Sequence, residues 1–194
     1  MRTKDLLLAV AAAAVGAAGV VVAGAAAFYL IAAAGYLPAN ADAKPPFLEK
    51  WIARKALKAT IARTAPKAPN PVPLTDENLK AGIALYAVDC AVCHGGPDAQ
   101  PSDIARGLYQ GAPQLAKYGV EDDDESETYW KIYHGIRMTG MPAYHGSLSD
   151  EEIWKVTLFL KNMDSLPPGP DKAWKAVPSV KRAGSTTPNP RGHS

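Results

Sequence analysis

The stretch that decides the fold is Cys90-Ala91-Val92-Cys93-His94, which contains both cysteines of the 194-residue chain. Two thiols at this spacing lie about one helical turn apart, and the histidine directly after them can turn a ring nitrogen toward a metal. A Cys-x-x-Cys-His unit is typical of covalent haem attachment, in which the two thiols add to the haem vinyl groups. We therefore expect one covalently attached haem c, with His94 as an axial ligand of its iron.

Two other uses of a cysteine pair fit this sequence poorly. A thioredoxin-like Cys-x-x-Cys belongs to a βαβ setting, and no segment here alternates over the length of a strand. A zinc site usually needs four ligands, whereas Cys90, Cys93 and His94 are the only candidates close together in the sequence. A chain with two cysteines also cannot be a disulfide scaffold. Haem attachment is therefore the favoured use of both thiols.

Helical patterns lie on both sides of this motif. Thr75 suits the N-cap of a first helix, and Ser149 with Glu152 forms a capping box for a last helix. The predicted helices have the approximate bounds 75–89, 129–134 and 149–163. The remainder is Gly/Pro-rich loop, so we expect an all-α haem domain at residues 74–166 whose thin core is completed by another component.

Residues 74–166 resemble a class I cytochrome c. The order of a first helix, the cysteine motif, a Gly/Pro loop, a helix, a methionine-bearing loop and a last helix is the order of that family. The resemblance implies that Gly82 and Tyr86 on the first helix cross the last helix closely, at Leu158 or Phe159. The alternative for Gly82 is an ordinary helical glycine, which costs about 1 kcal/mol.

The resemblance also implies roles for residues that follow the motif. The carbonyl of Pro113 would accept the second ring N–H of His94, a bond that fixes the ring and raises ligand basicity. Leu115 would pack on the haem. An ordinary loop proline is the alternative for Pro113. Three further side chains would line the haem, namely Trp130, Tyr133 and Ile136.

For the second axial ligand, the resemblance implies Met141, because Gly140-Met141-Pro142 is similar to the distal-ligand loop of the family. A thioether sulfur is a weak ligand that favours Fe(II) and raises the reduction potential relative to histidine. Met138, His134 and His145 are the alternatives. Their ordinary uses would be packing for the methionine and surface or haem-carboxylate contacts for the histidines.

An uncharged run of 32 residues, Leu6–Leu37, contains 14 alanines and 4 glycines. About 20 apolar residues cross a bilayer, so this run is long enough for a transmembrane anchor. Residues 1–5, with the basic Arg2 and Lys4, would then be a cytoplasmic N-terminus. The alternative is a signal peptide cleaved after Ala41, although a cleaved apolar core is usually only about 7–15 residues long.

Residues 38–73 are predicted to form a basic amphipathic helix followed by a proline-rich linker. The helix, at about 46–65, would lie on anionic lipid or on a partner, with a solvated spacer as the alternative. A count of its lysines and arginines would place the bulk of the chain in the cytoplasm. Haem is attached to thiols outside the bacterial inner membrane, so we expect the haem domain to face the periplasm instead.

Charge is segregated along the chain. Residues 71–165 carry 7 Lys/Arg and 15 Asp/Glu, whereas residues 1–70 and 166–194 are basic. An acidic domain argues against nucleic acid as a partner, since phosphate binding needs concentrated lysine and arginine. The acidic run 121–127 would be a solvated loop, a docking patch for a basic partner or a calcium site, although the EF-hand spacing is absent. Residues 167–194 are predicted to be a disordered basic tail.

These expectations combine into three hypotheses about function. With histidine and methionine on its two axial sides, the iron would exchange electrons and bind no substrate. The first hypothesis is therefore an electron carrier, a membrane-anchored monohaem cytochrome c at the bacterial inner membrane. Its partners would be respiratory or photosynthetic complexes or a periplasmic dehydrogenase. The alternatives are a fixed cytochrome subunit of a larger oxidoreductase complex, and a gas sensor or peroxidase with a labile distal ligand.

Overall fold

The computed structural model describes residues 2–120 and 122–179, which contain helices and no strand. This confirms the predicted all-α class. The helices are α1 Thr3–Ala33, α2 Phe47–Thr64, α3 Asp76–Asp89, α4 Ala91–His94, α5 Asp103–Arg106, α6 Leu115–Tyr118, α7 Glu125–His134, α8 Asp150–Lys161 and α9 Pro168–Lys175. A short 3-10 turn, Met163–Ser165, lies between the last two. The chain divides into two compact units, Met1–Ala43 and Lys44–Ser194.

The first unit contains α1, a helix of 31 residues with no buried side chain. Its most apolar window has a mean hydropathy of 2.6. Among the described residues, α1 is the one helix whose length and composition would let it cross a membrane, and a signal sequence can share both properties. Retention of this segment as an anchor therefore stays a prediction.

The core of the second unit is built on the crossing of α3 and α8. A Cβ atom at Gly82 would lie 2.1 Å from the carbonyl oxygen of Lys155 and 3.0 Å from Cβ of Phe159. Only glycine permits this approach. Tyr86 is fully buried, and its ring meets that of Phe159 edge-on with centroids 5.4 Å apart. The close crossing implied by the resemblance is present, and Phe159 is the aromatic partner.

Both predicted helix caps are formed. The hydroxyl of Thr75 accepts from the backbone N–H of Asn78, and that of Ser149 accepts from the N–H of Glu152. The Glu152 carboxylate in turn accepts from the backbone N–H of Ser149 at 2.8 Å, which completes the capping box. These side chains satisfy amide groups that a helix N-terminus leaves without partners, so they fix where α3 and α8 begin.

The prediction of a disordered tail from residue 167 is wrong for residues 167–179. They contain α9, whose prolines occupy its first turn, where a missing N–H costs nothing. Trp174 is only 6% exposed, and its ring packs against Tyr86 and Phe159 at centroid distances of 5.5 and 5.1 Å. This helix therefore covers the α3–α8 crossing. The rest of the predicted tail, residues 180–194, lies outside the described residues.

The proline-rich segment after α2 packs against α7 and α8 and is not a free linker. The Asn70 side chain donates to a carboxylate oxygen of Glu125 at 3.0 Å and to the carbonyl of Trp154 at 3.3 Å. Val72 and Ala65 are buried. Proline composition indicated an extended backbone, but it gave no sign that this backbone would be held by side-chain contacts from α7 and α8.

Candidate functional site

The cysteine motif lies where α3 ends and α4 begins. The carbonyl of Cys90 accepts from the N–H groups of Cys93 and His94, at 3.0 and 2.9 Å, so the motif closes into a single turn. Burial raises the pKa of the Cys90 thiol to about 12, helped by the charges of Asp89 and Cys93. Burial also raises the pKa of Cys93. A redox-active Cys-x-x-Cys needs a lowered thiol pKa, so the raised pKa of both thiols disfavours thioredoxin-like chemistry.

His94 is oriented by a backbone carbonyl. Its Nδ1 lies 2.9 Å from the oxygen of Pro113, the contact that the resemblance implied. With the proton on Nδ1, the Nε2 lone pair is available to a metal. Burial lowers the pKa of His94, and the bond to Pro113 opposes that shift. A neutral imidazole, the form that ligates metals, is therefore favoured.

Three side chains with no signal in the sequence hold the motif and the segment before α3 in place. The Gln114 amide donates to the carbonyls of Cys93 and Ala112, at 3.0 and 3.3 Å, and so joins the Pro113 loop to α4. The Tyr144 hydroxyl donates to the carbonyl of Asp89 at 2.7 Å. Asn70, described above, anchors the segment before α3. A single glutamine, tyrosine or asparagine in a loop gives no periodic signal that would mark it from sequence.

Tyr86 joins the helix crossing to the motif. Its hydroxyl donates to the carbonyl of Gly95 at 2.8 Å, just after the motif ends. Burial raises the pKa of Tyr86, with a contribution from Cys90, so the phenol stays protonated and keeps this bond. Burial likewise raises the pKa of Tyr144 to about 12. The two tyrosines therefore hold both ends of the motif with neutral hydroxyl groups.

The loop that carries Met141 is shaped by its own hydrogen bonds. The Met141 N–H donates to the Thr139 hydroxyl at 3.1 Å, and its carbonyl accepts from the N–H of Ile136 at 3.2 Å. Met141 is half-buried and packs against the core. Met138, in contrast, is 58% exposed and has a positive φ of 62°. This geometry favours Met141 over Met138 as a residue directed to the interior.

The two histidines offered as alternative ligands lie at the surface. Both are exposed. The His145 ring stacks on that of Tyr133 with centroids 5.0 Å apart, and its Nδ1 lies 3.1 Å from the Tyr133 carbonyl. The His134 ring contacts Trp130, at a centroid distance of 4.7 Å. Their positions disfavour both histidines as distal ligands.

Comparison with known proteins shows which family this helical domain resembles. The family model described as cytochrome c oxidase, cbb3-type, subunit III matches residues 77–160, which include the cysteine motif and Met141. This domain belongs to the cytochrome c family. Electron transfer is therefore its general chemistry, and haem c is the cofactor that the family implies.

Two further similarities concern part of the chain. The quinohemoprotein alcohol dehydrogenase ADH IIB of Pseudomonas putida is 29% identical over 100 residues, which are 50% of this chain and 13% of that protein. A chain of the reducing HAO-like protein complex of Kuenenia stuttgartiensis matches with a TM-score of 0.40 and 21% identity, over 50% of each chain. The chain thus spans only a small part of this curated relative.

The cytochrome c domain also offers groups that fit a haem. Trp130 Nε1 is buried and has no hydrogen-bond acceptor among the described residues, and a haem carboxylate would supply one. Leu115 is buried, while Tyr133 and Ile136 are half-buried on or just after α7. Their contact with haem stays a prediction.

The acidic run acts in part as the cap of α7 in the cytochrome c domain. The Asp124 carboxylate accepts from the N–H of Ser126 at 2.9 Å, and hydrogen bonds from the backbone and side chain of Ser126 lower the Asp124 pKa. Lys131 pairs with Asp123 at 2.8 Å. Within the described residues, no group of three or more His, Cys, Asp or Glu side chains is placed to hold a metal ion. The run therefore gives no support to a calcium site, and Glu121 lies outside the described residues.

Proposed function

We propose that the chain is a membrane-anchored monohaem cytochrome c that transfers single electrons between redox partners at the periplasmic face of the bacterial inner membrane. Cys90 and Cys93 would hold the haem by thioether bonds, and His94 and Met141 would be the axial ligands. The observation that carries this proposal is the half-buried His94 ring with Nδ1 on the Pro113 carbonyl, which leaves Nε2 for iron.

When bound, the haem supplies a one-electron Fe(III)/Fe(II) couple. The chain's own residues hold the ligands so that little rearrangement accompanies a change of charge. Pro113 fixes the His94 ring, and Gln114 fixes the Pro113 loop on α4. Next to the Met141 loop, Gly135 has φ 64°, and a Cβ there would lie 2.5–2.7 Å from the Pro142–Ala143 backbone. Glycine thus permits the close packing that holds the Met141 loop.

The surface charge of the domain supports a basic redox partner. Residues 71–165 carry 15 acidic and 7 basic side chains, so their field attracts positive surfaces. Complementary charge raises association rates more than it raises affinity, which suits a carrier that must bind and leave. Respiratory or photosynthetic complexes, or a periplasmic dehydrogenase, would be the partners.

A fixed subunit of a larger oxidoreductase is the second candidate. The matching family model is described as a subunit of an oxidase, and the matching curated relative is a much longer dehydrogenase. Purification in mild detergent separates the two candidates. A stoichiometric complex that survives gel filtration would favour the subunit, whereas a single haem-containing chain would favour the carrier.

Replacement of Met141 by alanine tests the ligand assignment. We expect Met141→Ala to lower the reduction potential and to let the reduced protein bind carbon monoxide, because loss of the thioether opens one iron position. Met138→Ala, a change of the same size at an exposed position, should alter neither property. Potentiometry and reduced-minus-carbon-monoxide difference spectra make the comparison. An unchanged potential and spectrum in Met141→Ala would remove Met141 from the account.

A further inference from the structure

Helix α2 is held to the rest of the second unit along one side. Four residues spaced by four, Glu49, Ala53, Leu57 and Ile61, are half-buried or buried. The Tyr109 hydroxyl donates to the Glu49 carboxylate at 2.8 Å near one end, and Ile61 is 3% exposed near the other. A stripe with this spacing is one face of a helix, so the remaining sides of α2 face outward.

The outward side of α2 combines large apolar residues with positive charge. Its large apolar side chains are 82%, 61%, 51% and 51% exposed, and they belong to Phe47, Leu48, Trp51 and Ile52. Four exposed basic side chains accompany them, and they are Lys50, Arg54, Lys55 and Lys58. These eight residues are called the basic apolar face. The only acidic residue of α2, Glu49, is engaged by Tyr109 on the opposite side.

We propose that the basic apolar face binds an anionic phospholipid surface. Apolar and aromatic side chains partition into the headgroup boundary, and each nearby Lys or Arg adds attraction to anionic lipid. Lysine and arginine stems cover apolar surface while their charged ends reach phosphate. Trp51 is the type of side chain that concentrates at membrane interfaces.

The composition of this face favours lipid over a protein partner. The buried centre of a protein interface is depleted in charged residues and in lysine especially. Here lysines and an arginine alternate with the apolar side chains along the helix, so no apolar centre free of charge exists. None of these four basic side chains forms an ion pair within residues 2–120 and 122–179. Their charges are therefore available to external phosphate groups.

The position of α2 in the chain supports the same occupant. Helix α1, the candidate membrane span, ends at Ala33, and α2 begins at Phe47. Residues 34–46 can extend by at most about 45 Å. If α1 crosses a bilayer, α2 is tethered within reach of the surface of that bilayer. Lipid bound by the basic apolar face would then limit the orientations of the domain against which α2 packs.

A spin label on α2 tests this inference. Ala59 is an exposed residue of α2. In full-length Ala59→Cys holoprotein, the two native cysteines would be occupied by haem, as the proposed function requires, so the label reports on residue 59 alone. The protein is reconstituted into phosphatidylcholine vesicles and into vesicles with roughly one third phosphatidylglycerol. We expect the label to become several-fold less accessible to a water-soluble nickel chelate, relative to oxygen, when the anionic lipid is present. An Asp164→Cys label, on an exposed turn, should be accessible in both vesicles.

A matched pair of charge variants separates specific contact from general attraction. Lys50→Gln/Lys55→Gln/Lys58→Gln should abolish the protection of the residue 59 label. Lys80→Gln/Lys117→Gln/Lys172→Gln, which removes the same charge elsewhere, should leave it intact. Equal accessibility in both vesicles would overturn the inference, as would protection that is already present in detergent because a co-purified protein covers the helix. The haem spectrum of each sample checks folding and ligation separately, so this result does not depend on the Met141 assignment.

Discussion

At residue 82, the absence of a side chain sets the distance between α3 and α8. The nearest neighbours of a Cβ there are backbone atoms of Lys155, which cannot move as a flexible side chain would. We expect Gly82→Ala to destabilise the holoprotein by about 3 kcal/mol, measured by urea unfolding. Gly146→Ala, where a Cβ meets nothing within 4 Å, should change the free energy of unfolding by no more than about 0.5 kcal/mol. Equal stability of the two variants would contradict the close crossing.

The residues of the site differ in how far the sequence could predict them. Cys90, Cys93 and His94 are predicted from their own spacing, because haem attachment requires two thiols about one helical turn apart and a histidine directly after them. Pro113 followed from a resemblance, and its contact with His94 is present. Gln114 and other supporting side chains were missed, since their contacts depend on loops that are far apart in sequence.

At the scale of elements, α9 extends the core beyond the α8 helix. Trp174 places its ring against Tyr86 and Phe159, the aromatic pair at the helix crossing. We expect Trp174→Ala to cost about 3–5 kcal/mol, measured by chemical unfolding monitored by far-ultraviolet circular dichroism. Trp51→Ala removes a ring that is 51% exposed and is the control. A result in which both changes cost the same would show that α9 adds nothing to the core.

The sequence could not reveal α9 for a physical reason. Prolines, glycine and lysines in this segment are typical of a disordered tail. Its single large apolar residue, Trp174, gives no helical period. The helix forms because that one ring finds a preformed aromatic surface, so tertiary packing decides the local structure. Helix α8, by contrast, has a capping box and two apolar stripes, and its prediction from residue 149 to about 163 agrees closely with Asp150–Lys161.

The capping box of α8 makes its stability depend on pH. The backbone and the hydroxyl of Ser149 both donate to Glu152, and they lower the Glu152 pKa. A lowered folded-state pKa contributes stability above the ordinary glutamate pKa of about 4.3, and this contribution is lost as the pH falls through the folded-state pKa. Ser149→Ala should therefore lower the melting temperature by about 4 °C at neutral pH and by less near pH 3. Calorimetry of Ser149→Ala at both pH values measures this loss, with Ser147→Ala as the control. A loss of melting temperature that is equally large near pH 3 would contradict the prediction.

At the scale of the whole molecule, basic and acidic residues are concentrated in different segments of the chain. The basic residues of α2 and the acidic residues of the cytochrome c domain lie in one compact unit. The sequence predicts both charge blocks but indicates only an extended linker for the proline-rich segment between them. Asn70 instead joins that segment to Glu125 and Trp154. Such side-chain contacts carry no pattern in sequence, so only the structure shows the two blocks joined.

The central claim is that a single haem is held by His94 and Met141 with no open iron position. The most direct test is the optical spectrum of the full-length protein, oxidised and reduced, with and without carbon monoxide. The account predicts the weak far-red band of a methionine–Fe(III) pair and no change when carbon monoxide is added to the reduced protein. A carbon monoxide shift in the native protein would contradict it, because that response requires an open or labile distal position.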